Sequence, residues 1–137
     1  MVKNDGKLPG LMEWQDLESL VGSLKTHSLV ARPTTVEQCR EVLTYCSENG
    51  MTVCARGAGR AYGDLALNDG QVLLDMSAMN RILELDEEKK QITVEAGTRL
   101  IDIYQEVHHR LLTLPASPTE SHSSATVVTA TLSVACK

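Results

Sequence analysis

Three glycines directly behind a short apolar run set the tightest limit on how this chain can fold. Met51-Thr52-Val53-Cys54-Ala55 leads into Arg56-Gly57-Ala58-Gly59-Arg60-Ala61-Tyr62-Gly63-Asp64. The apolar run reads as a buried strand and the glycine segment as a loop. A loop that holds phosphate needs backbone N–H groups converging on an anion. Glycine supplies the positive φ values this requires and lets the backbone approach without a Cβ in the way. Arg56 and Arg60 place positive charge beside the glycines, which suits a diphosphate. The spacing excludes two familiar nucleotide loops. A Walker A loop ends in Gly-Lys-Ser/Thr, whereas this one ends in Gly63-Asp64. A Rossmann turn has Gly-x-Gly-x-x-Gly opening a helix. Here the pattern is Gly-x-Gly-x-x-x-Gly, and it runs through Asn68-Asp69-Gly70 towards another strand. On the pattern alone, a plain glycine-rich turn between two strands remains the competing reading.

The flanking elements follow from periodicity. Leu11, Trp14, Leu17, Leu20 and Val21 fall at helical spacing, so a short helix is expected there, with Trp14 on its apolar side. Ser28-Leu29-Val30-Ala31 is a short strand ended by Pro33. Thr35 followed by Gln38 fits a capping box, with Thr34 and Glu37 as the shifted option. Val36, Cys39, Val42, Leu43 and Cys46 then mark one helical face, and Gly50 stops the helix. Gln71 to Asp75 is a strand. Ile82 to Leu85 and Ile92 to Val94 form a hairpin around the charged tip Asp86-Glu87-Glu88-Lys89-Lys90. Leu100, Tyr104, Val107 and Leu111 mark a second amphipathic helix. This succession predicts an α+β fold, a small mixed sheet with two main helices.

Composition narrows the functional classes. The 137 residues suffice for one domain with a core, and 42% are apolar. The chain has one Trp, three Tyr and no Phe, so Leu, Val, Ile, Met and Ala must fill that core. A net charge of −5 argues against a nucleic-acid surface. No apolar run approaches the roughly 20 residues needed to cross a bilayer. The polar first ten residues lack a signal peptide, so the expected location is the cytoplasm. Cys39, Cys46, Cys54 and Cys136 show neither Cys-x-x-Cys nor zinc spacing with His, so no metal site is expected. They read as small buried apolar residues. His108, His109 and His122 read as solvated, and no catalytic triad or carboxylate pair is inferred.

The ordered set of segments resembles a known family. Val30-Ala31-Arg32-Pro33-Thr34-Thr35-Val36-Glu37, then Val53 to Asp64, then Val72-Leu73-Leu74-Asp75-Met76-Ser77-Ala78-Met79-Asn80-Arg81-Ile82, then Val94-Glu95-Ala96-Gly97-Thr98-Arg99-Leu100 carry the resemblance. Together they resemble the FAD-linked oxidases with the PCMH-type, vanillyl-alcohol-oxidase-like fold, over about Leu29 to Ser121. The glycine segment is most similar to the branch of decaprenylphosphoryl-ribose oxidases, with sugar-alcohol and aldonolactone oxidases further off. The resemblance implies that residues 28–121 form the first subdomain of an FAD-binding domain, behind a lead segment 1–27. It implies that Arg56, Gly57, Ala58, Gly59, Arg60, Ala61, Tyr62 and Gly63 wrap the FAD diphosphate. Pro115 and Ser117, in Leu114-Pro115-Ala116-Ser117-Pro118, would approach the cofactor from a second segment.

This chain departs from the family at three places. Arg60 stands where many relatives carry a His bonded to the flavin, so FAD here is expected to be non-covalent. Ala61 stands where relatives often place a phosphate-binding Ser. Ala125 to Leu132 stands where the family uses a glycine turn, and no glycine follows Gly97. The Ser- and Thr-rich residues 122–137 are therefore expected to be a divergent or truncated tail, although Thr and Val also suit an edge strand. The expected function is the FAD-binding part of an oxidoreductase acting on CH–OH groups of a sugar or polyol, incomplete in this chain. Its catalytic residues are not identified, and incompleteness favours self-association. The alternative is a non-catalytic nucleotide- or partner-binding domain derived from the same fold.

Overall fold

The computed structural model describes residues 10–20, 22–61 and 63–114, together with the backbone of 129–133 and 135–136. The first sheet holds four strands in the order β1-β2-β4-β3: Met12–Glu18, Lys25–Ala31, Val72–Asp75 and Val53–Arg56. β1 pairs antiparallel with β2 over seven residues, from Met12 opposite Ala31 to Glu18 opposite Lys25. β4 lies parallel to both β2 and β3, with Leu73 opposite Val30 on one side and Cys54 on the other. Helix α1, Val36–Glu48, crosses from β2 to β3, and β4 then inserts between these strands.

α1 begins where the capping residues put it. Thr35 Oγ1 accepts from the Gln38 N–H at 3.2 Å. Gln38 Oε1 accepts in return from the Thr34 N–H at 2.7 Å, one residue earlier than in a simple capping box. Asn49 caps the other end and Gly50 follows with φ +61°. Cys39, Val42 and Cys46 are the buried face. Val36 and Leu43 share the expected stripe but stay exposed, so the stripe is narrower than the spacing suggests. The helix packs on Leu29, Ala31, Val72 and Leu74, and Met76, Met79 and Ala96 close this first core.

A second core lies behind a second sheet. β5, Ile82–Asp86, and β6, Gln91–Glu95, form the expected hairpin, with a bulge between Ile82 and Glu84. β8, Thr129–Ser133, pairs antiparallel with the other side of β6. Helix α2, Leu100–His109, contributes Ile103 and Val107 to a cluster with Ile92, Val94 and Leu112. Leu111, counted in the expected apolar stripe, is instead 75% exposed with φ +56°, because it lies in the turn past the helix end. β7, Leu112–Thr113, pairs with β9, Ala135–Cys136.

Two expectations are corrected. Residues 12–18 are a strand, not a helix. Their apolar spacing fits a helical face, but seven paired residues alongside β2 satisfy the backbone of both strands and complete the sheet edge. Trp14 stays 43% exposed and stacks flat on His27, with ring centroids 5.1 Å apart. The run before the glycines is not a buried strand either. β3 is the outer strand of the sheet and Val53 is 37% exposed, because β4 takes the central place. Val72, Leu73 and Leu74 are the buried run instead. The α+β architecture with two main helices stands.

The glycine loop as candidate diphosphate site

The 15 residues from Gly57 to Gln71 join β3 to its parallel neighbour β4, with no helix among the described residues. Parallel neighbours need a crossover connection, and here that connection is the glycine loop itself. Gly59, at φ +71°, and Gly63, at φ +64°, supply left-handed conformations that other residues resist. The return half is fastened to the sheet. Asn68 Nδ2 donates to the Val72 carbonyl at 2.8 Å and to the Thr52 carbonyl at 3.2 Å. The Ser28 hydroxyl donates to the Asn68 carbonyl at 2.8 Å. Asp69 accepts from the His27 N–H at 2.9 Å, and the Leu67 N–H donates to Asp64 at 2.8 Å. In the sequence Asn68 and Asp69 read only as turn residues; their bonds to Ser28 and His27 reach across 40 and 42 positions, and Asn68 also holds Thr52 and Val72 nearer by.

The first half has a different character. Among the described residues, the backbone N–H groups of Gly57, Ala58, Gly59, Arg60 and Ala61 donate to no acceptor. Five successive unspent donors at the end of a strand supply the kind of group an anion requires. The charges agree with this. Arg32, Arg40, Arg81, Arg99 and Arg110 each pair with a carboxylate. The remaining arginines, Arg56 and Arg60, make no ion pair among the described residues, and both lie in this segment. The donor chemistry therefore fits a diphosphate.

The structure separates the two arginines. Arg60 is exposed. Arg56 is half-buried, with Nη1 donating to the Ala66 carbonyl at 2.8 Å and Nη2 to the Glu18 carbonyl at 3.4 Å. Its guanidinium lies under Gly59, where an added Cβ would stand 2.8 Å from Cζ. Nothing in the sequence around Arg56 announces these partners. Tyr62, Pro115 and Ser117 lie outside the described residues. Cys54, beside the loop, is a free thiol whose pKa is pushed up by burial, against the opposing pull of Arg56. Cys39 and Cys46 are free and buried, and burial raises both thiols. His108 and His109 are exposed at the end of α2. Among the described residues, no helix is long and apolar enough to cross a membrane.

Two further features hold the ground next to the site. Asp75 ends β4 opposite Arg56 and caps a 3-10 turn, Met76–Ala78, by accepting from the Ser77 N–H at 3.0 Å. Gly97 sits against that turn. Its N–H donates to the Met79 carbonyl at 2.8 Å, and a Cβ on Gly97 would overlap the Met76 carbonyl oxygen. Nearby, Glu95 is 4% exposed and accepts from the Arg81 N–H at 2.8 Å and from Arg81 Nη2 at 2.6 Å. The hydrogen-bonded Arg81 guanidinium holds the Glu95 carboxyl below its ordinary value.

A four-stranded sheet crossed by one helix and a second sheet behind another form the α+β frame of an FAD-binding domain. The chain belongs to the FAD binding domain family, whose model matches residues 27–136. L-gulonolactone oxidase of Bos taurus is 41% identical over 83 residues, covering 61% of this chain and 19% of the bovine protein. Decaprenylphosphoryl-beta-D-ribose oxidase of Mycolicibacterium smegmatis is 38% identical over 79 residues, covering 58% of this chain and 17% of the relative. A sugar-lactone oxidase and a decaprenylphosphoryl-ribose oxidase thus stand at comparable identity to this chain. Cholesterol oxidase from B. sterolicum shares the fold, with a TM-score of 0.76 at 17% identity over 90% of this chain and 25% of that structure. The chain spans about a fifth of the length of these curated relatives.

Proposed function

We propose that this chain is the diphosphate-holding part of an FAD-dependent oxidoreductase that acts on CH–OH groups of a sugar, sugar lactone or polyol. The carrying observation is the run of five unspent amides, Gly57 to Ala61, beside two arginines with no carboxylate partner among the described residues. The substrate class is drawn from the gulonolactone and decaprenylphosphoryl-ribose oxidases, whose names state a sugar-derived substrate. FAD supplies the hydride acceptor for such chemistry. This chain's own residues bind and orient it: the amides of residues 57–61 receive the diphosphate, Arg60 adds charge from the solvent side, and Gly63 closes the loop. Tyr62, Pro115 and Ser117 complete the proposed set. Arg60 has no imidazole to bond the flavin, so the cofactor is held non-covalently. Residues 28–121 form the first subdomain in this reading, with 1–27 as lead segment and 122–137 as divergent tail.

FAD titration of the purified chain, followed by quenching of flavin fluorescence, tests the reading. Saturable binding is expected, with all flavin released on acid precipitation. No binding at high micromolar FAD would sink cofactor binding by this chain. Gly59→Val should abolish the binding and leave the far-UV circular dichroism unchanged, since its Cβ would meet the Arg56 guanidinium. Retained binding would show that the diphosphate lies elsewhere. A second reading, a partner-binding domain without chemistry of its own, draws on the exposed Leu65 and Leu111, at 74% and 75%. That reading predicts self-association in sedimentation and no flavin binding.

A further inference from the structure

Arg56 ends β3 opposite Asp75 and sends its side chain back under the loop it opens. One guanidinium reaches the Ala66 carbonyl on the returning half of the loop and the Glu18 carbonyl at the end of β1. Gly59 passes over it with φ +71°, so close that a side chain there would meet Cζ at 2.8 Å. Three separate stretches of backbone are thus fixed on one planar cation. The fork explains why arginine occupies the position, since a lysine ammonium is a point charge on a flexible stem. It also accounts for Gly59 at this place, as the left-handed φ disfavours a larger residue and any Cβ would have to push the guanidinium aside.

We infer that Arg56 is a positioning residue of the diphosphate loop, which holds the amides of Gly57 to Ala61 ready for the anion rather than contacting phosphate through its own side chain. The inference rests on the FAD reading above for its ligand, but its geometry rests on the protein's own atoms. A loop held ready spares the bound state the cost of ordering it, so loosening the loop lowers apparent affinity.

The test compares Arg56→Lys, Arg56→Met and Gly59→Ala in the full chain. Backbone order parameters for Gly57 to Ala61 are read from ¹⁵N relaxation without FAD, and FAD affinity is read by flavin fluorescence. In the parent chain the loop should be rigid, near the roughly 0.85 typical of ordered backbone, and in all three variants it should fall towards about 0.6. FAD should bind about tenfold more weakly in each, the scale of one or two lost hydrogen bonds. Gly59→Ala is informative even if an Arg56 variant fails to fold, because it displaces the guanidinium while keeping its charge. Lysine restoring full affinity would overturn the inference in favour of a direct charge contact. An unchanged loop, or a loosened loop with unchanged FAD affinity, would overturn it as well. A loop that loosens in chains whose parent binds no FAD would support the positioning role and sink the FAD reading instead.

Discussion

Gly97 shows how much one missing atom can decide. Its N–H donates to the Met79 carbonyl, and the space where a Cβ would lie belongs to the Met76 carbonyl oxygen. Backbone cannot yield as the end of a flexible side chain can. Gly97→Ala is therefore expected to destabilise the chain by about 3 kcal/mol, at the upper end of overpacking penalties. Equilibrium urea unfolding measures this, and a change within 0.5 kcal/mol, about the size of an ordinary surface substitution, would show that the 3-10 turn moves freely. Gly59 differs in kind. It faces the end of an arginine side chain, so substitution there should move the loop more than it unfolds the protein.

The elements differ in how far local residues specify them. α1 carries its own start and stop. Thr35 and Gln38 cap it, Cys39, Val42 and Cys46 bury one face, and Gly50 takes the left-handed exit. Thr35→Ala should remove one cap bond and cost about 1 kcal/mol, read as a lower thermal midpoint with unchanged FAD affinity. An unchanged midpoint would mean that the Gln38 contacts to Thr34 hold the helix end alone. β1 carries no comparable signal. Its apolar residues suit a helical period, and only the partner strand, seven residues long, makes it extended. β3 likewise reads as buried from composition, but its place at the sheet edge depends on β4 arriving later in the chain and inserting beside β2.

At the scale of the molecule, two cores meet where β4 gives way to the 3-10 turn and β6 gives way to Gly97. The Arg81–Glu95 pair spans this junction, with a buried carboxylate whose pKa is lowered mainly by hydrogen bonding to Arg81. A carboxyl depressed in the folded state stabilises fully above its unfolded pKa, about 4.3. That contribution fades as pH falls from there through the folded value. Acid unfolding monitored by circular dichroism should therefore begin below about pH 4.3 for the Glu95 contribution. Arg81→Met should move the acid midpoint upward, because the buried carboxylate loses its partner. An unmoved midpoint would mean that other carboxylates control the transition.

The family and the candidate loop can be read from the sequence itself. Glycines behind an apolar run point to a strand-to-loop turn, and Gly59 and Gly63 take the left-handed conformations that glycine adopts freely. The absence of a lysine-serine ending and of a following helix removed two other nucleotide loops by local chemistry alone. The ordered segments around them also placed the chain in its family. Tertiary structure decided the rest. Which strand lies at the edge, that residues 12–18 are extended, and that Arg56 turns inward while Arg60 faces solvent all depend on partners distant in sequence. Backbone pairing and the Arg56 hydrogen bonds join residues 7 to 43 positions apart, and neither leaves a mark in local periodicity. Local chemistry determines which residues can form an anion loop; the packing around Arg56 determines the shape in which that loop is held.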